Sequence, residues 1–207
     1  MNPGTARETI AGPAGVIECA VDAPAGVVLG VAVICHPHPQ HGGTLDNKVV
    51  QTLARAFVQM GWRSVRFNFR GVGASGGDWD EGRGEVDDAL AVIAHFRRPA
   101  QPWLLAGFSF GAYVASQAAA QLPDDARPAR MVLVGPSTQK QVMAPVPADT
   151  VVIHGETDDV VPLSATLDWA RPQSLPVIVF PGVGHFFHGQ LARLKSVVVQ
   201  QLQPPAA

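Results

Sequence analysis

Ser109 stands between two glycines in the run Gly107-Phe108-Ser109-Phe110-Gly111, which fits G-x-S-x-G. A serine hydroxyl is a weak nucleophile. It attacks a carbonyl only with a base beside it, an acid to orient that base, and N–H donors for the anion that forms. The residues around Ser109 suit such a role. Trp103 to Phe108 reads as a strand and Phe110 to Leu122 as an Ala-rich helix, so Ser109 falls on a sharp strand-to-helix turn. Its glycine neighbours allow the bend, and the free N–H groups of a helix start favour negative charge. The plain alternative is a serine that merely caps the helix. For the base, Gly182-Val183-Gly184-His185 places an imidazole on a small-residue loop after the strand Val177 to Phe180. His188 is assigned to the closing helix. For the acid, Asp158 and Asp159 follow the strand Val151 to Ile153, and both are candidates. Each signal alone has an ordinary reading as a solvated loop residue. Their order along the chain is Ser109, then the acid, then His185, which is one of the orders in which this chemistry recurs.

The elements that must position these residues alternate. Apolar β-branched runs at Val27–Cys35, Arg63–Phe69, Trp103–Phe108, Met131–Val134, Val151–Ile153 and Val177–Phe180 read as strands. Between them, helical spacing runs from Asp46, a candidate N-cap, to Met60, and then over Glu85–Phe96, Phe110–Leu122, Leu163–Trp169 and Phe187–Leu202. Alternation with continuously apolar strands predicts an α/β fold: a mostly parallel sheet with helices on both faces. Val16 to Val21 is expected to add an antiparallel edge strand. Residues 1–14 are expected to be a loose N-terminal segment of a single domain spanning 1–207. In open sheets of this kind the ligand site lies beyond the carboxyl ends of the strands. Ser109, Asp158 and His185 all fall there.

Composition narrows the class. The chain has 207 residues, 47% hydrophobic and 15% charged, with a formal net charge of −2. Disorder needs fewer apolar residues and more net charge. No basic stretch offers a nucleic-acid footprint, and no apolar run is long enough to span a membrane. The two cysteines, Cys19 and Cys35, sit in apolar segments and read as buried small hydrophobes rather than a disulfide framework. Met1 to Gly15 has no apolar core of a signal peptide, so a cytoplasmic protein is the expectation.

With these motifs assembled, the sequence resembles the α/β-hydrolase superfamily, and more narrowly its small, lidless, single-domain bacterial serine hydrolases. The resemblance rests on His36-Pro37-His38-Pro39, Asn68-Phe69-Arg70-Gly71-Val72-Gly73-Ala74-Ser75-Gly76-Gly77, Gly107 to Gly111, His154-Gly155-Glu156-Thr157-Asp158 and Gly182 to His185. It covers the chain from about Val27 to Leu202. It implies that Asp158, four residues after His154, is the acid, with Asp159 a neighbouring loop carboxylate. It also implies an oxyanion hole made by the N–H groups of Phe110 and His38. His38 carries the one N–H between Pro37 and Pro39, since proline has none. His36 is expected to be structural. Many members insert a lid after the sixth strand, but only Gly135 to Thr150 is available here, so an open site is expected.

Two motifs compete for the same residues. His36, His38 and His41 spell H-x-H-x-x-H, a pattern able to hold zinc in a metal-dependent hydrolase. Two prolines stiffen that stretch and it holds no acid, so no metal is expected. Gly71 to Gly76 fits G-x-G-x-x-G, a dinucleotide fingerprint. Its strand is not the first of the sheet, and Asp78-Trp79-Asp80-Glu81 follows where a pyrophosphate would lie. A rim turn is expected instead, tied down by Arg70, with Trp79 either a wall of the pocket or a loop residue packed on the surface. The carboxylates from Asp78 to Asp88 are expected to be mostly solvated. The reading is therefore a serine hydrolase of a small carboxylic ester or thioester, acting without a cofactor as a monomer or homodimer, with no nucleic-acid or membrane partner. The alternative from another class is a binding module of the same fold with an idle triad.

Overall fold

The computed structural model describes residues 4–99 and 101–203. Residues 1–3 of the opening segment lie outside that range. Among the described residues eight strands form one sheet: β1 (Ala6–Gly12), β2 (Gly15–Asp22), β3 (Val31–Cys35), β4 (Arg63–Phe67), β5 (Trp103–Phe108), β6 (Arg130–Val134), β7 (Val151–Gly155) and β8 (Val177–Phe180). The helices are α1 (Lys48–Gln59), α2 (Arg83–Phe96), α3 (Phe110–Gln121), α4 (Leu163–Ala170) and α5 (Leu191–Leu202). Strand order is β1-β2-β4-β3-β5-β6-β7-β8. β1 pairs with β2 and β2 with β4 antiparallel, and every later pair is parallel.

Side chains of a strand alternate between the two faces, and the sheet is apolar on both. Val33, Leu105 and Leu133 face one way, under Val86 and Val92 of α2 and Ala115 and Ala118 of α3. Ile34, Ala106 and Val132 face the other way, under Leu53 and Phe57 of α1 and Leu194 and Val198 of α5. This double burial is why β3, β5 and β6 read as unbroken apolar runs. Residues 135–150, between β6 and β7, contain no helix, and no cap domain among the described residues covers the strand ends. No helix among the described residues is long and apolar enough to cross a membrane.

Several boundaries differ from expectation for identifiable reasons. The opening segment is not loose: Ala6–Gly12 is an edge strand, hairpinned to β2 from Ala6↔Val21 to Gly12↔Gly15. It buries only Ile10, so its sequence carries almost no apolar signal. The strand expected from Val27 starts at Val31. Gly30 lies so close to Pro102 that a Cβ there would collide with the proline carbonyl, and the apolar residues before it, Val27 to Leu29, are exposed. The α1 cap is Asn47, whose Oδ1 accepts from the Val49 N–H at 2.9 Å. Asp46 instead pairs with Arg66 at 3.3 Å and Arg7 at 2.6 Å. The closing helix starts at Leu191, so His188 lies in the loop before it.

Among the carboxylates from Asp78 to Asp88, Asp78, Glu81 and Asp87 are exposed and Asp80 is half-buried, in line with a mostly solvated stretch, but two residues of α2 depart from it. Glu85 and Asp88 are fully buried. Glu85 accepts from the Gly82 N–H at 2.7 Å and the Asp80 N–H at 3.0 Å, closing the first turn of α2. Asp88 takes the Arg70 guanidinium through both oxygens, at 3.1 and 2.9 Å, and the Arg70 N–H at 2.9 Å. Arg70 thus ties down the rim loop as expected.

Candidate active site

Ser109 follows directly on β5 and precedes α3, with φ 56° and ψ −119°. A side chain at positive φ is strained, and close packing holds it there. A Cβ at Gly107 would collide with the Gly111 carbonyl, and one at Gly111 with the carbonyls of Cys35 and His36. Both glycines are therefore demanded by backbone approach. The Ser109 N–H donates to the Val134 carbonyl at 2.9 Å, fastening the turn to the end of β6. The side chain is left at the carboxyl edge of the sheet, 7% exposed.

The structure brings Ser109, Asp158 and His185 into one line. His185 Nε2 lies 3.0 Å from Ser109 Oγ, and His185 Nδ1 lies 2.6 Å from Asp158 Oδ2. The imidazole packs beside the Phe108 ring and is shielded from water. Asp158 Oδ1 accepts from the N–H groups of Val160 at 2.9 Å and Val161 at 2.8 Å. Burial alone would raise the Asp158 pKa. The hydrogen bond from His185 and the two backbone N–H groups outweigh it and hold the carboxyl below its ordinary value. Asp159 is exposed. A hydroxyl, an imidazole and an ionised carboxylate in this order can activate the hydroxyl as a nucleophile.

His38 and Phe110 are brought together beside Ser109. Their rings lie 5.0 Å apart, and the collision that a Cβ at Gly111 would make shows how closely the start of α3 meets the end of β3. Phe110 is the first residue of α3, where the N–H has no intrahelical partner. Among the described residues, neither this N–H nor that of His38 meets an acceptor. Trp79 completes the wall, 4.6 Å from the His38 ring and 5.2 Å from that of Phe110.

The competing motifs resolve differently. His36 is fully buried, and both ring nitrogens are used: Nδ1 donates to the Pro37 carbonyl at 2.6 Å, and Nε2 accepts from the Phe69 N–H at 3.1 Å. Burial drives its pKa down to about 3, partly offset by the Pro37 carbonyl. It has no lone pair for a metal, so the His36/His38/His41 ligand set is not assembled. His38 instead stacks on His41 at 4.5 Å. The Gly71–Gly76 turn is closed by a carboxylate of the protein itself. Glu18 Oε2 accepts from the Ala74 N–H at 3.0 Å and Asn68 Nδ2 at 2.7 Å. A phosphate would find that place filled.

Sequence reading passed over Thr166 and quoted His154 only as part of a motif. His154 Nε2 lies 2.9 Å from the Val161 carbonyl and 3.4 Å from Asp158 Oδ2, and its Nδ1 lies 3.2 Å from Thr166 Oγ1. A histidine inside an otherwise apolar strand, four residues before the acid, was the available signal for it. Nothing marked Thr166, because its partner comes from another element.

Comparison with known proteins agrees with this fold. A family model described as serine aminopeptidase, S33, matches residues 30–150. A crystal structure from Xanthomonas campestris, described as an α/β serine hydrolase without lid, is 37% identical. It covers 100% of this chain and 98% of its own, with a TM-score of 0.90. An α/β serine hydrolase homologue from Coxiella burnetii is 38% identical over 96% of this chain and 97% of its own, with a TM-score of 0.84. An uncharacterized protein of Rickettsia prowazekii (strain Madrid E) is 31% identical over 192 residues, 85% of this chain and 79% of that protein. The chain belongs to the serine aminopeptidase S33 family of the α/β-hydrolase superfamily, and its fold is that of the lidless serine hydrolases it resembles.

Proposed function

We propose that this protein hydrolyses small carboxylic esters or thioesters through an acyl-enzyme on Ser109. The observation that carries the reading is the line Ser109–His185–Asp158, at 3.0 and 2.6 Å, on a strained turn. In the first half-reaction Ser109 Oγ bonds to the substrate carbonyl carbon while its proton passes to His185 Nε2. Asp158 stabilises the imidazolium, and the N–H groups of His38 and Phe110 receive the oxyanion. The C–O or C–S bond then breaks, and His185 returns the proton to the leaving alcohol or thiol. Water repeats the sequence from the other side and frees the acid. The open strand ends and the absence of a helix in residues 135–150 support small substrates over long-chain lipids.

The test is labelling with a fluorophosphonate, read by intact mass and peptide mapping, beside turnover of short-chain p-nitrophenyl esters, acyl thioesters and aminoacyl p-nitroanilides. A single adduct on Ser109 is expected, absent in Ser109→Ala. Ester or thioester turnover should fall about 10⁶-fold in that variant and about 10⁴-fold in Asp158→Asn. Preferential cleavage of the anilides would move the assignment to the aminopeptidase activity that the family's description carries. No adduct on folded protein would turn the assignment to the binding module.

A further inference from the structure

The hydrogen bonds around His154 have a direction that can be deduced. A carbonyl only accepts, so His154 Nε2, 2.9 Å from the Val161 oxygen, carries the hydrogen. The ring is shielded from solvent, and desolvation lowers its pKa, so it is neutral and Nδ1 holds a lone pair. Thr166 Oγ1, 3.2 Å away, must therefore donate to Nδ1, and its oxygen is left to accept from Thr138 Oγ1 at 3.2 Å. The chain runs one way: Thr138 to Thr166 to His154 to Val161. Val161 is thereby held at both ends, its N–H by Asp158 Oδ1 at 2.8 Å and its carbonyl by His154. The same N–H edge of His154 faces Asp158 Oδ2 at 3.4 Å, on the oxygen that His185 uses. A neutral imidazole there steadies the carboxylate. A charged one would compete with His185 for it.

We infer that His154, with its tautomer fixed by the Val161 carbonyl and its ring held by Thr166 and Thr138, is a positioning residue that clamps the Asp158–Val161 turn and so keeps Asp158 Oδ2 on His185 Nδ1. The inference rests on the triad reading for its effect on turnover, but its geometric core is readable without substrate. The readout is the low-field proton resonance of His185 Nδ1–H, followed beside steady-state kinetics on a short-chain p-nitrophenyl ester. In His154→Leu the resonance should move upfield and kcat should fall about 10- to 100-fold with KM unchanged, as a small misplacement of a catalytic group does. His154→Gln keeps a donor near the Nε2 position and should restore most of both. Thr166→Val, a change of similar shape, should give a smaller effect of the same kind, and it carries the test should His154→Leu not fold. An unmoved resonance, or losses in His154→Leu and His154→Gln that follow thermal stability alone, would overturn the inference. A resonance that moves as expected in a protein whose Ser109 takes no fluorophosphonate would uphold the clamp while sinking the hydrolase reading.

Discussion

The residues nearest the chemistry are buried titratable groups, and their environments set how they respond to pH. His36 is the plainest case. Its folded pKa is pushed from 6.5 down to about 3 by burial, while the unfolded chain titrates near 6.5. The folded state thus binds fewer protons between those values. The resulting stability is whole above pH 6.5 and is lost as pH falls toward 3, at about 1.4 kcal/mol per pH unit. Between pH 7 and 5, His36 alone should remove about 2 kcal/mol. Urea midpoints across that range should fall steeply in the wild type and less steeply in His36→Gln, which starts lower. Equal slopes in the two proteins would refute this account. His154 adds to the same trend, because desolvation lowers its pKa as well. Asp158 is lowered too, so its share is kept down to its ordinary range and lost only below it.

At the scale of elements, the candidate nucleophile depends on how closely α3 approaches the end of β3. Gly111 is the contact, and the atoms a methyl group would meet are the backbone oxygens of Cys35 and His36. Backbone held in a central strand and a proline-bounded loop has little room to move. Gly111→Ala should cost about 1–3 kcal/mol, seen as a Tm lowered by several degrees. It should also pull the Phe110 N–H away from His38, so that kcat falls more than KM rises. Unchanged Tm and kcat would mean that the approach relaxes at no cost. The glycine spacing was legible in the sequence, and so was the strand before it. What was not legible is which neighbour each glycine makes room for. The same holds for the cap of α1: Asp46 and Asn47 are both good caps by type, and the choice fell to Asn47 because Arg66 and Arg7 draw Asp46 away.

Across the whole molecule, the strand ends bearing Ser109, His185 and Asp158 are left without a cap domain. A protein with no lid to open has no conformational step for a lipid surface to trigger. Turnover of a short-chain ester should therefore follow a simple saturation curve through the solubility limit of the substrate. A jump in rate when droplets form would contradict this and point to a mobile cover. Much of this architecture was determined by the sequence alone. Continuously apolar strands alternating with amphipathic helices require a sheet buried on both faces, and Ser109, Asp158 and His185 each follow such a strand. The carboxyl-edge placement of all three then follows from topology. Only the tertiary structure decided the rest, because it depends on partners far away in the chain. Ala6–Gly12 became a strand through its pairing with β2. The glycine-rich turn closed on Glu18 rather than on a ligand. Asp158 rather than Asp159 met His185, because Asp158 alone has its second oxygen seated on the Val160 and Val161 N–H groups. Local patterning sets which face of an element is buried, while long-range backbone approach sets which polar group finds its partner there.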